Sequence, residues 1–166
     1  MKIGVAIGSN LGDRLANLKQ AVTELQRLSR LPVRKSSVYE STPVDCPPGS
    51  PKFLNAVVEL DVDDPITPRG LLGKLQEIER KLGRETKQIH NEARPIDLDL
   101  IYWDERRIQT DDLVVPHPRA HRRRFVLQPL SDLSPNLGLP GQTRSIGELL
   151  AALDSDETVI RFTDCW

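Results

Sequence analysis

Aromatic residues are scarce in this 166-residue chain, 4% of the total, and there are only two cysteines. So few aromatics leave no cluster on which a sheet could stack unpaired bases, which argues against an RNA-recognition domain. Cys46 and Cys165 stand far apart without metal-type spacing, so neither a disulfide framework nor a zinc site is indicated, and a reducing, cytoplasmic setting is expected. No stretch approaches the roughly 20 apolar residues of a membrane helix. The apolar run over residues 3–8 is too short for a signal-peptide core. An excess of one charge sign is also missing: 23 basic residues meet 24 acidic ones for a net charge of -1, so any attraction to phosphate must come from local clustering. No G-x-G-x-x-G follows a strand pattern, and Gly8-Ser9-Asn10-Leu11-Gly12 lacks the lysine and spacing of a phosphate loop. Rossmann and Walker sites are thereby set aside, and this turn reads as a link from strand to helix.

What is present, 38% hydrophobic and 28% charged residues, fits one folded domain over 1–166. An apolar strand pattern at the N-terminus gives way to the turn at 8–13. Leu15, Leu18, Val22, Leu25 and Leu28 then recur at helical spacing. Residues 33–41 read as a second strand, followed by a segment 42–51 whose four prolines and one glycine impose a stiff, extended loop of the kind that often holds ligands. Over 53–62 the alternation is clean, with Leu54, Ala56, Val58, Leu60 and Val62 facing one way, which predicts a third strand with one core face. Thr67-Pro68 is a helix start, and the apolar stripe Leu71, Leu72, Leu75, Ile78 and Leu82 ends at Gly83. A fourth strand spans 96–103. The order βαββαβ predicts a ferredoxin-like α+β fold, one antiparallel sheet with two helices against one face. The tail adds a C-terminal helical extension: a loop with a short helix over 116–133, a helix over 145–153 and a final strand over 158–162.

The strongest chemical signal is Arg94-Pro95-Ile96-Asp97-Leu98-Asp99-Leu100. Residues two apart in a strand point to the same face about 6.6 Å apart, so Asp97 and Asp99 project side by side while Ile96, Leu98 and Leu100 face the core. Two adjacent carboxylates repel, and a hard divalent cation that also takes substrate phosphate oxygens relieves the repulsion. Taken alone, an Asp-x-Asp reads first as two solvated side chains on an open sheet face. Its surroundings favour phosphate chemistry: Glu79, Arg84, Lys87 and Arg94 precede it, and the basic segment from His117 through Arg119, Arg122, Arg123 and Arg124 to Phe125 follows. Part of that basic run is also read as a solvated helix face. Phe53 and Asn55 share the non-core face of their strand, where a ring to stack upon and an amide to read a polar edge would suit a planar heterocycle.

Six segments, in order and spacing, resemble the 6-hydroxymethyl-7,8-dihydropterin pyrophosphokinase family: Ala6 to Asp13, Tyr39 to Pro43, Phe53 to Val58, Glu79 to Arg84, Arg94 to Leu100 and Val115 to Pro118. The resemblance implies a ferredoxin-like enzyme that moves the terminal diphosphate of ATP onto the pterin's hydroxymethyl group with two magnesium ions, in folate synthesis. It implies that Asp97 and Asp99 bind both magnesium ions. Pterin contacts fall on Thr42, Pro43, Phe53, Asn55 and Phe125. Those to ATP fall on Gln76, Glu79, Lys87 and His117, with Arg84 and Arg94 as phosphate-binding arginines of a mobile loop and Arg123 as a further basic residue. Departures from the family pattern stand at Asn91, Asp112, Val114 and Pro118. A loop closing over ATP is expected at 84–93, and the partners are the two small molecules, with no nucleic acid, no membrane and a monomeric chain. Two rivals remain open at this point: a ferredoxin-like small-molecule sensor, and a metal-dependent phosphodiester hydrolase.

Overall fold

The computed structural model describes residues 1–63, 66–84 and 92–166. Strand β1 (Lys2–Ser9) turns into helix α1 (Arg14–Gln26), whose N-cap Asp13 accepts from the Ala16 amide at 3.0 Å and so satisfies one of the helix's free donors. The strand expected over 33–41 is two strands, β2 (Arg34–Lys35) and β3 (Val38–Ser41). Both pair antiparallel with β4 (Phe53–Asp61), but the register slips by one residue between them. The cause lies at Ser36, whose hydroxyl accepts from the Val57 amide at 2.9 Å while its own amide donates to the Val57 carbonyl at 3.0 Å, a bulge that absorbs the extra residue. Helix α2 (Pro68–Lys81) starts where the sequence places it, with the Thr67 hydroxyl accepting from the Gly70 amide.

Strand β5 (Asp97–Trp103) is followed by the short hairpin β6 (Ile108–Gln109) and β7 (Val114–Val115). The stretch expected to be a loop with a short helix contains a 3-10 turn (Ala120–Arg122) and a full helix α3 (Arg124–Leu133). Helix α4 (Ile146–Ala152) begins with a capping box between Ser145 and Glu148, and β8 (Val159–Thr163) closes the chain. The main sheet is antiparallel in the order β5-β1-β4-β3-β8, with β2 also on β4.

The sequence reading puts two helices against one face, leaves the C-terminal helices unplaced and gives the third strand one core face; that single core face is the main correction. Helices α1 and α2 do cover one face, burying Ile3, Val5, Leu54, Val58, Leu98 and Leu100. Helices α3 and α4 cover the other, where Val57, Ile101 and Tyr102 pack with Val126, Leu127 and Ile146. Strand β4 is therefore buried on both faces from Phe53 to Leu60, Asn55 and Glu59 included. Glu59, 3% exposed, accepts from the Tyr102 hydroxyl at 2.5 Å and the Ser134 hydroxyl at 2.6 Å, and it pairs with Lys2 at 3.3 Å and with Arg34. Burial favours the neutral acid, but these hydrogen bonds and charges outweigh it and hold the carboxyl below its usual range. Among the described residues no helix is long and apolar enough to cross a membrane.

Candidate active site

Antiparallel pairing brings the end of β1, the end of β3 and the starts of β4 and β5 to the same rim of the sheet. The register sets Asn55, Gly8 and Asp97 in one row across three strands, with Ala6 and Asp99 in the row two residues further along. Over these rows lies a cavity of ≈ 200 Å³. Its floor is Gly8, Phe53, Asn55, Asp97 and Asp99. Thr42, Val44 and Cys46 of the proline-rich loop line it as well, as do Arg94 and the basic segment's His117, Arg119, Arg123 and Phe125. A side chain at Gly8 would crowd the site, because a Cβ there would stand 3.1 Å from Asn55 Oδ1, which would have to shift, and in contact with the Phe53 ring at 3.5 Å.

The two aspartates differ in their surroundings. Each oxygen of Asp97 is held by a different arginine, Oδ1 by Arg84 Nη1 and Oδ2 by Arg94 Nη2, both at 2.6 Å. Arg84 also pairs with Glu79, a buried acid that accepts the Leu98 amide at 2.7 Å and whose carboxyl burial pushes up. Asp99 is pushed up to about 6, first by burial and then by the charge of Asp97, against the pull of Arg123, Arg94 and Arg84. The Arg94 guanidinium additionally lies over the Phe53 ring, 5.3 Å from its centroid, and its buried Nε has no hydrogen-bond partner among the described residues. His117 is pushed down to about 4 by burial and by the charges of Arg123 and Arg119. Its Nδ1 accepts from the Arg119 amide at 3.2 Å, so in the neutral ring Nε2 carries the hydrogen.

Nine of the residues given an individual role from the sequence meet at this cavity: Thr42, Phe53, Asn55, Arg94, Asp97, Asp99, His117, Arg123 and Phe125. Arg84 and Glu79 join them through the ion pairs on Asp97. Pro43 stands next to Thr42 outside the lining, and Gln76 is exposed on α2. Lys87, Asn91 and most of the loop expected to close over ATP lie outside the described residues. Sequence reasoning assigned no individual role to three contributors, although Arg119 stands in the basic segment it singled out. Ser41 accepts the Asn55 amide Nδ2 at 2.7 Å. Arg119 lines the cavity and pairs with Asp45 at 3.7 Å. Asn10, 2% exposed, accepts the Arg94 amide at 2.8 Å and donates to the Pro51 carbonyl at 3.3 Å, and its own amide donates to the Arg94 carbonyl at 3.2 Å. A turn asparagine carries no sign in the sequence that it will meet position 94.

A hard-cation site is chemically reasonable here. Asp97 and Asp99 offer oxygen donors only, the ligand type of hard divalent cations. Among the described residues no group of three or more His, Cys, Asp or Glu gathers that could hold a metal ion.

A family model for 7,8-dihydro-6-hydroxymethylpterin-pyrophosphokinase matches residues 4–135. The 2-amino-4-hydroxy-6-hydroxymethyldihydropteridine pyrophosphokinase of Pseudomonas aeruginosa is 39% identical over 153 residues, covering 91% of each chain. Its namesake from Bacillus subtilis is 41% identical over 130 residues, 78% of this chain and 75% of that one. An Arabidopsis thaliana folate synthesis bifunctional protein is 36% identical over 132 residues, but the chain spans only 27% of its length. Among solved structures, an HPPK-DHPS in complex with substrates superposes with a TM-score of 0.72 over 91% of this chain and 43% of that one, at 12% identity, a likeness of fold. The chain belongs to the 7,8-dihydro-6-hydroxymethylpterin-pyrophosphokinase family.

Proposed function

We propose that the protein transfers the terminal diphosphate of ATP to the hydroxymethyl group of 6-hydroxymethyl-7,8-dihydropterin, releasing AMP, as a step of folate synthesis. The observation that carries this is the meeting, in one cavity, of a flat apolar surface with a hydrogen-bonding amide and a pair of carboxylates ringed by arginines. The first two, Phe53 and Asn55, are suited to a pterin; the second two, Asp97 and Asp99 with Arg94 and Arg123, to a polyphosphate.

Asp97 and Asp99 would hold two magnesium ions. Bound there, magnesium offsets phosphate charge and makes the pterin hydroxyl more acidic. The chain's own residues do the rest. Phe53 stacks on the ring, Asn55 reads its edge, and Thr42, Pro43 and Phe125 enclose it. Arg94 and Arg84 leave Asp97 for the phosphates, where their planar donor pairs match the charge that spreads over the oxygens in the transition state. Gln76, Arg123 and His117 complete the nucleotide side, with Glu79 acting through Arg84. The hydroxyl oxygen forms a bond to the β-phosphorus, the α–β bridge breaks, AMP keeps the bridging oxygen, and the proton goes to water. His117, held neutral, donates a hydrogen bond and does not act as the base.

In fold terms the βαββαβ unit is ferredoxin-like and the layer from α3 to β8 is its C-terminal extension, in a monomer of the cytoplasm. A sensor would have no need of the paired carboxylates, and a hydrolase would have no need of the Phe53–Asn55 surface. The test is incubation with ATP, magnesium and the hydroxymethyl dihydropterin. One AMP is expected per pterin consumed with no free pyrophosphate, and pyrophosphate release or no AMP overturns the reading.

A further inference from the structure

Residues 136–166 lie beyond the stretch matched by the family model, yet this tail bonds to two residues that line the cavity. Strand β8 runs antiparallel along β3 and starts beside the cavity, with Val159 paired to Ser41. Immediately before it, the Thr42 amide donates to the Thr158 carbonyl at 3.2 Å and the Thr158 amide donates to Thr42 Oγ1 at 3.3 Å. One residue earlier, Glu157 Oε2 accepts from the Phe125 amide at 3.2 Å.

Phe125 stands in the first turn of α3, where backbone amides have no partner within the helix. A side chain at the N-cap normally satisfies one of them, but the N-cap of α3 is Arg123, which makes no such bond. Glu157 takes over that task from 32 residues away, and its negative charge is favourable at the positive end of the helix. The tail is fixed as it arrives: Arg124 Nη2 donates to the Leu153 carbonyl at 2.9 Å, and the Glu157 amide donates to Ser155 Oγ at 3.1 Å.

Two walls of the cavity, Thr42 from the proline-rich loop and Phe125 from α3, are thus tied to adjacent residues of one short segment. We propose that the Glu157–Thr158 dipeptide sets the spacing between these walls, with Glu157 as a positioning residue for the heterocyclic substrate. The inference rests on the function proposed above and refines its pterin half. It requires a selective effect: Phe125 and Thr42 face the pterin, so loosening them weakens pterin and leaves ATP alone. Glu157 also favours the charged form of Arg123, and a loss acting through that charge would instead appear on the nucleotide side.

The test titrates the full-length protein, in magnesium, with 6-hydroxymethyl-7,8-dihydropterin and with a nonhydrolysable ATP analogue, comparing wild type, Glu157→Ala and Glu157→Gln. Losing the acceptor in Glu157→Ala should weaken pterin binding about tenfold while the analogue stays within about twofold. Glu157→Gln, whose amide oxygen can accept the same bond, should recover most of that loss. Steady-state KM values should split the same way. Unchanged pterin affinity in Glu157→Ala overturns the proposal, as does an equal loss for both ligands that glutamine fails to rescue. Should Glu157→Ala not fold, Glu157→Asp, which withdraws the carboxylate by one methylene, gives the same readout. A wild-type protein that binds no pterin instead brings down the functional reading on which the proposal stands.

Discussion

Arg94 joins more parts of the site than any other side chain described above. Its backbone is held by Asn10 in both directions, while its guanidinium bonds Asp97 and covers Phe53. The anchored backbone lets the side chain change partners without moving the strand behind it. Arg94→Ala should therefore lower turnover about a thousandfold, the scale of a lost phosphate-stabilising arginine, with little change in the unfolding midpoint. Single-turnover kinetics beside a urea curve would check both, and unaltered turnover would remove Arg94 from the mechanism. His117 predicts a pH effect. Its folded form takes a proton only near pH 4, whereas an unfolded histidine does so near 6.5. Between those values the unfolded chain holds more protons, so this residue lowers stability as pH falls from about 6.5 to about 4 and has no such effect above that window. Urea midpoints of wild type and His117→Gln should differ in their pH slope across this window. Parallel slopes would contradict the shift.

The elements show what local chemistry can and cannot announce. Helix α1 was legible from its apolar spacing and α2 from its spacing and its cap Thr67, because both signals act within a few residues; the cap of α1, Asp13, read only as part of a turn. Asp97 and Asp99 were legible as neighbours because a strand repeats every two residues. The second core was not. Residues 53, 55, 57, 59 and 61 alternate with the apolar set and include three polar side chains, so they read as an open face; in the fold Val57 joins the core under α3 and α4, Glu59 is buried, Phe53 and Asn55 floor the cavity, and only Asp61 stays partly exposed. Glu59 could not be recognised as buried, since its partners Tyr102, Arg34 and Ser134 come from three separate segments. The break between β2 and β3 depends on Ser36 reaching Val57, which is likewise a tertiary event. Packing between β1 and β5 offers a direct test. Gly4 pairs with Tyr102, and a Cβ on Gly4 would come within 2.1 Å of the tyrosine ring. Gly4→Ala should thus displace Tyr102, weaken its bond to Glu59 and cost about 1–3 kcal/mol in a denaturant titration. A wild-type midpoint would show that the ring yields freely.

Across the whole molecule, charge is balanced overall and concentrated locally. The net charge is -1, yet Arg94, Arg119 and Arg123 all line one cavity above two aspartates. Residues from the stretches 41–55, 94–99 and 117–125 reach this place only because one antiparallel sheet brings their strand ends to a common rim. Such a field acts on a polyanion far more than on a neutral ring. Raising potassium chloride from about 0.05 to about 0.5 M should increase the KM for ATP several-fold and that for the pterin less than about twofold, because screening shortens the reach of these charges. Equal changes would mean that the cationic rim does not select the nucleotide.

The position of Arg94 also has a use in inhibitor chemistry. With its flat cation resting on an aromatic ring and hydrogen-bonded to a carboxylate, the resting enzyme displays a pharmacophore made from its own side chain. A compact fused-ring compound carrying an amidine arm could copy both contacts at once, competing with the enzyme's own arginine for its seat.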